Sequence, residues 1–306
     1  MCSDTGARLQ IASDPTEEEV QTVRDRLAAE SNAKTGGRFD QEVPEFTCDL
    51  AVRAPDGSIA GGVTISTLLG VMWLEVLWVA PEHRRRGLAS WLVLEIERIA
   101  ADHGCVGGGT WTFSWQGPEF YPTIGYRLNG IYNGYPLGMT EHVLSKPLPD
   151  PASYARIADT VRRSRQDGYV LVQDPTKDEM RGVHRGLHEH CVKHAGDEMH
   201  NPGIEVKLVL RDGIGRVAGG LIASTTIRIV ALERLWVDSA YRGKGYGQTL
   251  VERAEQVAKQ HGCVAVQGTC FSFQGPEFFY KQAYESFGSV DVYPDDYTEH
   301  LLIKSL

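Results

Sequence analysis

The chain states one domain-length pattern twice, and any fold it adopts must accommodate that repetition. Leu74-Glu75-Val76-Leu77-Trp78-Val79 returns as Leu232-Glu233-Arg234-Leu235-Trp236-Val237. Phe113-Ser114-Trp115-Gln116-Gly117-Pro118-Glu119-Phe120 returns as Phe271-Ser272-Phe273-Gln274-Gly275-Pro276-Glu277-Phe278. Residues 74–148 overlay 232–306 without a gap, with roughly 32 of 75 positions identical where chance gives about 1 in 17. Upstream, Ala60-Gly61-Gly62 matches Ala218-Gly219-Gly220, and Asp14-Pro15-Thr16 matches Asp174-Pro175-Thr176 after a two-residue slip. The period is too long for a solenoid unit. It predicts two similar fused domains, residues 1–148 and 166–306, with a linker over 149–165. The linker's prolines break the preceding element, and a short charged helix is expected from Tyr154 to Gln166. A fused pair behaves like a covalent homodimer, so a pseudo-two-fold interface is expected, inside a monomer or within a homodimer.

Each unit opens with Asp-Pro-Thr, acidic residues and spaced apolar ones: Val20, Val23 and Leu27 in the first, Met180, Val183 and Leu187 in the second. That pattern predicts a capped amphipathic helix. Runs rich in β-formers follow at Cys48 to Arg53 and Val206 to Arg211, closed by Asp56-Gly57 and Asp212-Gly213 turns. Ile59 to Thr67 and Val217 to Thr225 come next, then the two Trp-containing strands. A basic glycine-containing loop leads into a long helix in each unit, Leu88 to His103 and Tyr246 to His261, stopped by Gly104 and Gly262. A strand, a short helix near Pro118 or Pro276 and two last strands complete an α/β unit with a mixed sheet.

Composition narrows the function. At 42% hydrophobic and 23% charged residues the chain is an ordinary globular one. No apolar run reaches the ~18 residues of a membrane helix, and Met1 to Arg8 lacks the apolar core of a secretion signal. With 31 Lys+Arg against 40 Asp+Glu, the net charge of -9 argues against nucleic-acid and anionic-membrane partners. Cys2, Cys48, Cys105, Cys191, Cys263 and Cys270 form no C-x-x-C pair and read as thiols of a reducing cytoplasm.

The chemistry is expected at the two strand-to-helix junctions, Arg84-Arg85-Arg86-Gly87-Leu88-Ala89 and Arg242-Gly243-Lys244-Gly245-Tyr246-Gly247. A loop turning into a helix N-terminus offers free N–H groups and a positive dipole end, which suits a pyrophosphate. Neither the Walker nor the dinucleotide glycine pattern is present. What remains is R-x-x-G-x-[GA] after a strand ending in Val, with Phe120-Tyr121-Pro122-Thr123-Ile124-Gly125-Tyr126 downstream. At these residues the chain resembles the GNAT N-acetyltransferase superfamily across both units. The resemblance implies two tandem GNAT-like domains, each a mixed, mostly antiparallel sheet flanked by helices. It implies acetyl-CoA, or another short acyl-CoA, held at Arg84, Arg85, Arg86, Gly87, Leu88 and Ala89, and at Arg242, Gly243, Lys244, Gly245, Tyr246 and Gly247. It assigns the backbone of Leu77, Val79, Leu235 and Val237 to the pantetheine arm and thioester. It implies direct attack by the primary amine of a small molecule.

In that scheme Glu75 and Glu233 are candidate general bases, with a structural carboxylate as the opposing reading. Tyr121 takes the place of the tyrosine that protonates the leaving thiolate. Its gapless equivalent is Phe279, so only a one-residue shift brings Tyr280 into that role; chemistry is therefore expected in unit one. His142 and His300 read as hydrogen-bonded structural groups, and Gln116 and Gln274 as organisers of a turn. His184, His188, His190, His194 and His200 with Cys191 have i,i+4 pairs that suit a metal, but unit one has no counterpart. They read instead as a polar helix bordering the acceptor cleft, and no metal is assigned. The alternative function is a non-catalytic acyl-CoA-binding or sensing protein with one or both units degenerate.

Overall fold

A computed structural model describes residues 9–37, 46–164, 167–199 and 203–306. Cys2, His200 and the expected helix end at Gln166 lie outside the described residues. The first half carries β1 (Gln10–Ala12), α1 (Glu17–Lys34), β2 (Thr47–Arg53), β3 (Ile59–Leu68), β4 (Val71–Val79), α2 (Leu88–Asp102), β5 (Gly107–Phe113), α3 (Phe120–Thr123), β6 (Arg127–Tyr132) and β7 (Glu141–Pro147). Helix α4 (Pro151–Ser164) follows. The second half repeats the order with β8 (Val170–Gln173), α5 (Lys177–Ala195), β9 (Glu205–Arg211), β10 (Val217–Thr226), β11 (Ile229–Val237), α6 (Tyr246–Gln260), β12 (Ala265–Phe271), α7 (Glu277–Tyr280), β13 (Glu285–Val290) and β14 (Glu299–Ser305). Within the two units the expected elements are found within a residue or two, the linker helix starts three residues before the expected Tyr154, and the short leading strands β1 and β8 are additional.

The strands of the described residues all join one sheet in the order β1-β9-β10-β11-β12-β14-β13-β6-β7-β5-β4-β3-β2-β8. Read from either end, equivalent strands appear in the same sequence, which is the signature of a pseudo-two-fold axis. The axis runs between Gly130 and Gly288, which pair across β6 and β13. A Cβ on Gly288 would lie 2.3 Å from Asn129 O, and one on Gly130 would lie 2.7 Å from Phe287 O, so only glycine permits this approach. The Asn129 side-chain amide donates across the seam to Ser289 O at 2.7 Å.

The halves also exchange their leading segments. β1 pairs with β9 of the second half, and β8 pairs with β2 of the first. Helix α1 follows its strand: Val20 and Val23 pack with Val209, Ile222 and Trp236. Helix α5 packs Met180 and Val183 on Ala51, with Val76 and Trp78 alongside. Each helix seats a valine on a glycine. A Cβ on Gly62 would come 2.7 Å from Val183, and one on Gly220 would come 2.5 Å from Val23. In space each half's part of the sheet is thus completed by a strand and a helix from the other half.

Both exchanged helices start with a capping box, and its glutamate reaches across to the other half. The Thr16 N–H donates to Glu19 Oε2 at 2.8 Å, and the Glu19 N–H donates to Thr16 Oγ1 at 3.3 Å. Arg211 then grips the same carboxylate through two N–H donors at 2.5 and 2.7 Å. Arg53 binds Glu179 in the same way, with Nε at 2.8 Å. The hydrogen bond from Arg211, with help from Thr16, holds the Glu19 carboxyl down at about 2.

The linker is less free than its composition suggested. Its helix begins at Pro151, since a proline is tolerated in a first helical turn. The α4 residue Tyr154 donates its hydroxyl to buried Glu97 of α2 at 2.9 Å, and Lys146 donates to the same oxygen at 2.8 Å.

Because Glu19 has a depressed folded pKa, the stability it contributes is full above the usual carboxylate range and is lost as pH falls from about 4.5 through about 2. Glu19→Gln is expected to flatten that acid dependence in urea titrations. In a double-mutant cycle, Glu19→Gln and Arg211→Met should show a coupling of about 1 kcal/mol or less but above error. Glu19→Gln with Arg53→Met should be additive.

Candidate active site

The site is built where a parallel strand pair parts. β4 and β5 pair from Val71↔Gly107 to Leu74↔Thr110 and no further. β11 and β12 likewise pair only from Ile229↔Ala265 to Leu232↔Gly268. At the parting point β4 bulges against β3: Ile65 faces Leu74 and Thr64 faces Val76, so Glu75 is the extra residue. Glu233 is the extra residue of β11 in the same way. A bulge bends its strand and re-aims the chain beyond it. Past the bulge, the Ala80 N–H bonds back to Ala60 O, and the Asp238 N–H bonds to Ala218 O. By alternation, the N–H and C=O groups of Leu77 and Val79, and of Leu235 and Val237, point away from β3 and β10 into the wedges.

Each wedge ends at a helix N-terminus. Gly87 and Gly245 cap α2 and α6 in left-handed geometry, with φ of 72° and 85°. Two residues earlier the backbone is left-handed again, at Arg85 (φ 60°) and Gly243 (φ 72°). Alternation of this kind turns successive N–H groups toward one point and makes an anion seat. The Leu88 side chain is buried in the core, so its share of that seat is its backbone. Two of the expected loop cations are engaged with the strand. Arg84 Nε donates to Val79 O at 2.9 Å and Arg242 Nε donates to Val237 O at 2.8 Å, which ties loop to strand end.

The two wedges differ in one group of side chains. Tyr121 is buried and stands edge-on to Tyr126 with centroids 5.7 Å apart. Burial raises its pKa, against the opposing hydrogen-bond influence of Thr110 and Thr112 on β5. In the second half Phe279 stands edge-on to Tyr284 at 5.5 Å, the same arrangement. Gly268 and Cys270 replace the threonines there, and burial pushes the Cys270 thiol up to about 12. The gapless register therefore holds. Tyr280, the candidate that needed a one-residue shift, turns away from the wedge, and its hydroxyl meets His300 Nδ1 at 3.2 Å.

The remaining candidates fall as follows. Glu75 is exposed and accepts from the Ser66 hydroxyl at 2.5 Å; Glu233 is exposed on the cavity wall of the second half. His142 shares a hydrogen bond with Thr140 Oγ1 at 2.9 Å. Gln116 and Gln274 do organise their turns, accepting from the Phe113 and Phe271 N–H groups at 2.8 and 3.0 Å. Among the described residues no group of His, Cys, Asp or Glu is placed to hold a metal ion, and no helix is long and apolar enough to cross a membrane.

The family profile described as acetyltransferase (GNAT) family matches residues 12–114 and 173–281, well over half of the chain. The chain belongs to the GNAT acetyltransferase family. Among its relatives, a blasticidin-S acetyltransferase of Streptomyces morookaense is 38% identical over 93 residues, covering 30% of this chain and 68% of the relative. The acetyltransferase Atu2258 of Agrobacterium fabrum is 26% identical over 121 residues, covering 39% and 85%. A solved acetyltransferase of Bacillus cereus aligns at 30% identity and a TM-score of 0.42, over 44% of this chain and 96% of that one.

Two GNAT units thus share this sheet, and the family's donor is acetyl-CoA. In the second unit the wedge opens into a cavity of about 490 Å³. It runs from the Gly243–Gly245 loop past β11 and Phe279 to a wall made of Leu27, Glu30, Ser31 and Lys34 on α1. That wall comes from the other half. Arg242 pairs with Glu30, and although burial opposes it, that pairing and Lys34 leave the Glu30 carboxyl below its ordinary value. The corresponding face of α5, with His190, Cys191 and His194, meets the first GNAT unit at Trp115 and Gln116. The histidine-rich helix therefore borders the cleft of the unit that precedes it. Sequence reasoning missed the Thr110/Thr112 pair, although the gapless alignment exposes it; nothing in the sequence signals which half receives each helix.

Proposed function

We propose that the chain is an N-acetyltransferase that moves acetyl from acetyl-CoA, or another short acyl-CoA, to the primary amine of a small molecule by direct attack, with the chemistry in the first unit. The observation that carries this is Tyr121 with Thr110 and Thr112 at the parted strands, above a helix N-terminus capped by left-handed Gly87. The fit of the donor rests on the cavity of about 490 Å³ that joins the equivalent loop to the parted strand in the second unit. Likeness to a blasticidin-S acetyltransferase favours a small-molecule acceptor over a macromolecular one. The net charge of -9 argues the same way against a tRNA-linked partner.

Acetyl-CoA supplies the activated acetyl group. The loop at Arg84 to Ala89 binds its diphosphate through N–H groups, the helix dipole and the exposed arginines. The backbone of Leu77 and Val79 orients the pantetheine arm and polarises the thioester carbonyl. Glu75, directly or through water, takes the proton that the attacking ammonium must lose. Tyr121 gives its proton to the sulfur as the C–S bond breaks and recovers one from solvent. Burial raises its pKa, so it is protonated throughout the neutral range.

The second unit keeps loop and cavity but has Phe279, Gly268 and Cys270 where the first has three hydroxyls. This favours a different reading for that unit alone: it binds the acyl-CoA without turning it over. A thiol pushed up to about 12 offers little thiolate at neutral pH.

Thiol release from acetyl-CoA should depend on added amine. Tyr121→Phe should lower kcat about 100-fold with the affinity for CoA nearly unchanged. Calorimetry should find two CoA sites, of which Gly245→Glu removes one and spares turnover, while Gly87→Glu removes turnover. Loss of all turnover in Gly245→Glu, together with full activity in Tyr121→Phe, would place the chemistry in the second unit.

A further inference from the structure

We infer that acceptor recognition in each unit is supplied by the first helix of the other half, and that His190 of α5 is the acceptor-contacting residue of the first unit. This rests on the acetyltransferase reading above. The cavity of the second unit shows the arrangement directly. One wall, joined to the anion-binding loop by the Arg242–Glu30 pair, is the α1 face carrying Leu27, Glu30, Ser31 and Lys34. Leu27 and Ser31, and Glu30 and Lys34, are each four residues apart, and Leu27 and Glu30, like Ser31 and Lys34, are three apart, so the four form one stripe of the helix. The glutamine anchor of that stripe recurs on α5. Gln274 donates to Ser31 Oγ at 3.4 Å, and Gln116 donates to Cys191 Sγ at 3.4 Å. The alignment that pairs Thr16 with Thr176 then sets His190 at the place of Glu30 and His194 at the place of Lys34.

The chemistry at this place differs between the units. Glu30 presents a carboxylate, engaged by Arg242. His190 Nε2 lies 3.2 Å from Trp115 O. A carbonyl oxygen only accepts, so Nε2 carries the hydrogen and Nδ1 is left with a lone pair. His194 is turned back on its own helix, with Nδ1 2.8 Å from His190 O, and its ring lies 4.4 Å from that of His190. Burial, and secondarily the neighbouring His194, Arg84 and Lys193, lower the His190 pKa from its ordinary value, although the hydrogen bond to Trp115 opposes them; this agrees with the lone pair that the geometry leaves on Nδ1. The first unit thus offers an amine a neutral hydrogen-bond acceptor where the second offers a carboxylate bound to arginine. A primary amine with a hydrogen to donate fits this group, and His190 takes no part in breaking the thioester.

The test uses the full chain carrying Gly245→Glu, so that only the first unit holds the donor. The acceptor is the first of spermidine, glucosamine and lysine that supports thiol release. His190→Ala is expected to raise the acceptor KM about tenfold, the loss of one hydrogen bond, with the KM for acetyl-CoA within twofold. His190→Gln, which keeps an acceptor and a donor, should recover part of it. Circular dichroism and melting of each variant separate misfolding from lost recognition. An unmoved acceptor KM, or equal movement of both KM values in a folded variant, overturns the role of His190. If Glu30→Ala rather than His190→Ala raises the acceptor KM in this chain, each helix serves its own half and the crossing is overturned. Absence of amine-dependent thiol release from the unmutated chain is a separate failure, that of acetyl transfer itself.

Discussion

Two valines seated on two glycines hold this molecule in its arrangement. Val183 rests on Gly62 and Val23 on Gly220, each helix belonging to one half and each sheet to the other. The glycines let a helix approach closer than any side chain would allow, and fully buried valines there contribute about 2 kcal/mol each. Arg211 on Glu19 and Arg53 on Glu179 then fix the helix N-termini at the same seam. With the helices so placed, the sheet face beside each parted strand is covered, and in the second unit α1 walls the cavity. Remove the exchange and each unit keeps its glycine-capped helix N-terminus but loses the helix of the other half that now covers its sheet.

The sheet itself provides the other half of the site. Four residues of parallel pairing followed by a bulge turn β4 away from β5, and the same occurs between β11 and β12. What the fold duplicates is the wedge and the helix N-terminus at its end; what it does not duplicate is the cluster of hydroxyls of Tyr121, Thr110 and Thr112. Phenylalanine, glycine and cysteine fill those positions in the second unit without disturbing ring packing, as the matching edge-on pairs Tyr121–Tyr126 and Phe279–Tyr284 show. A difference in side-chain groups is thereby carried on a shared geometry.

Much of this was legible in the residues. The repeat, the strand and helix limits and the two loops follow from periodicity, turn residues and glycine placement, and the positive φ values at Gly87 and Gly245 are what those glycines are for. The substitution of Phe279 for Tyr121 was visible in the alignment, and the ring geometry decides against Tyr280. The leading strands escaped notice because Gln10–Ala12 and Val170–Gln173 are too short to show a period. The exchange was hidden for a deeper reason. In a repeat, a helix finds nearly the same valine-on-glycine seat and the same arginine on its own half as on the other, so local pattern favours neither. Only the path of the chain across the whole molecule selects one, and no short motif encodes that path. The sequence therefore marks the α5 histidines as bordering a cleft without marking which one, and in the structure they meet the first unit at Trp115 and Gln116.

The placement of α1 is the claim on which the composite sites stand, and a distance measurement tests it most directly. Paired spin labels, introduced in a chain whose native cysteines have been replaced, would sit on exposed Glu18 of α1 and exposed Ile214 in the β9–β10 turn, or on Glu18 and exposed Asp56 in the β2–β3 turn. Pulsed dipolar spectroscopy is expected to give a short separation for Glu18 with Ile214, because Glu19 and Arg211 are in contact, and a long one for Glu18 with Asp56. The reverse order of distances would show that each helix lies on its own half and would contradict the account.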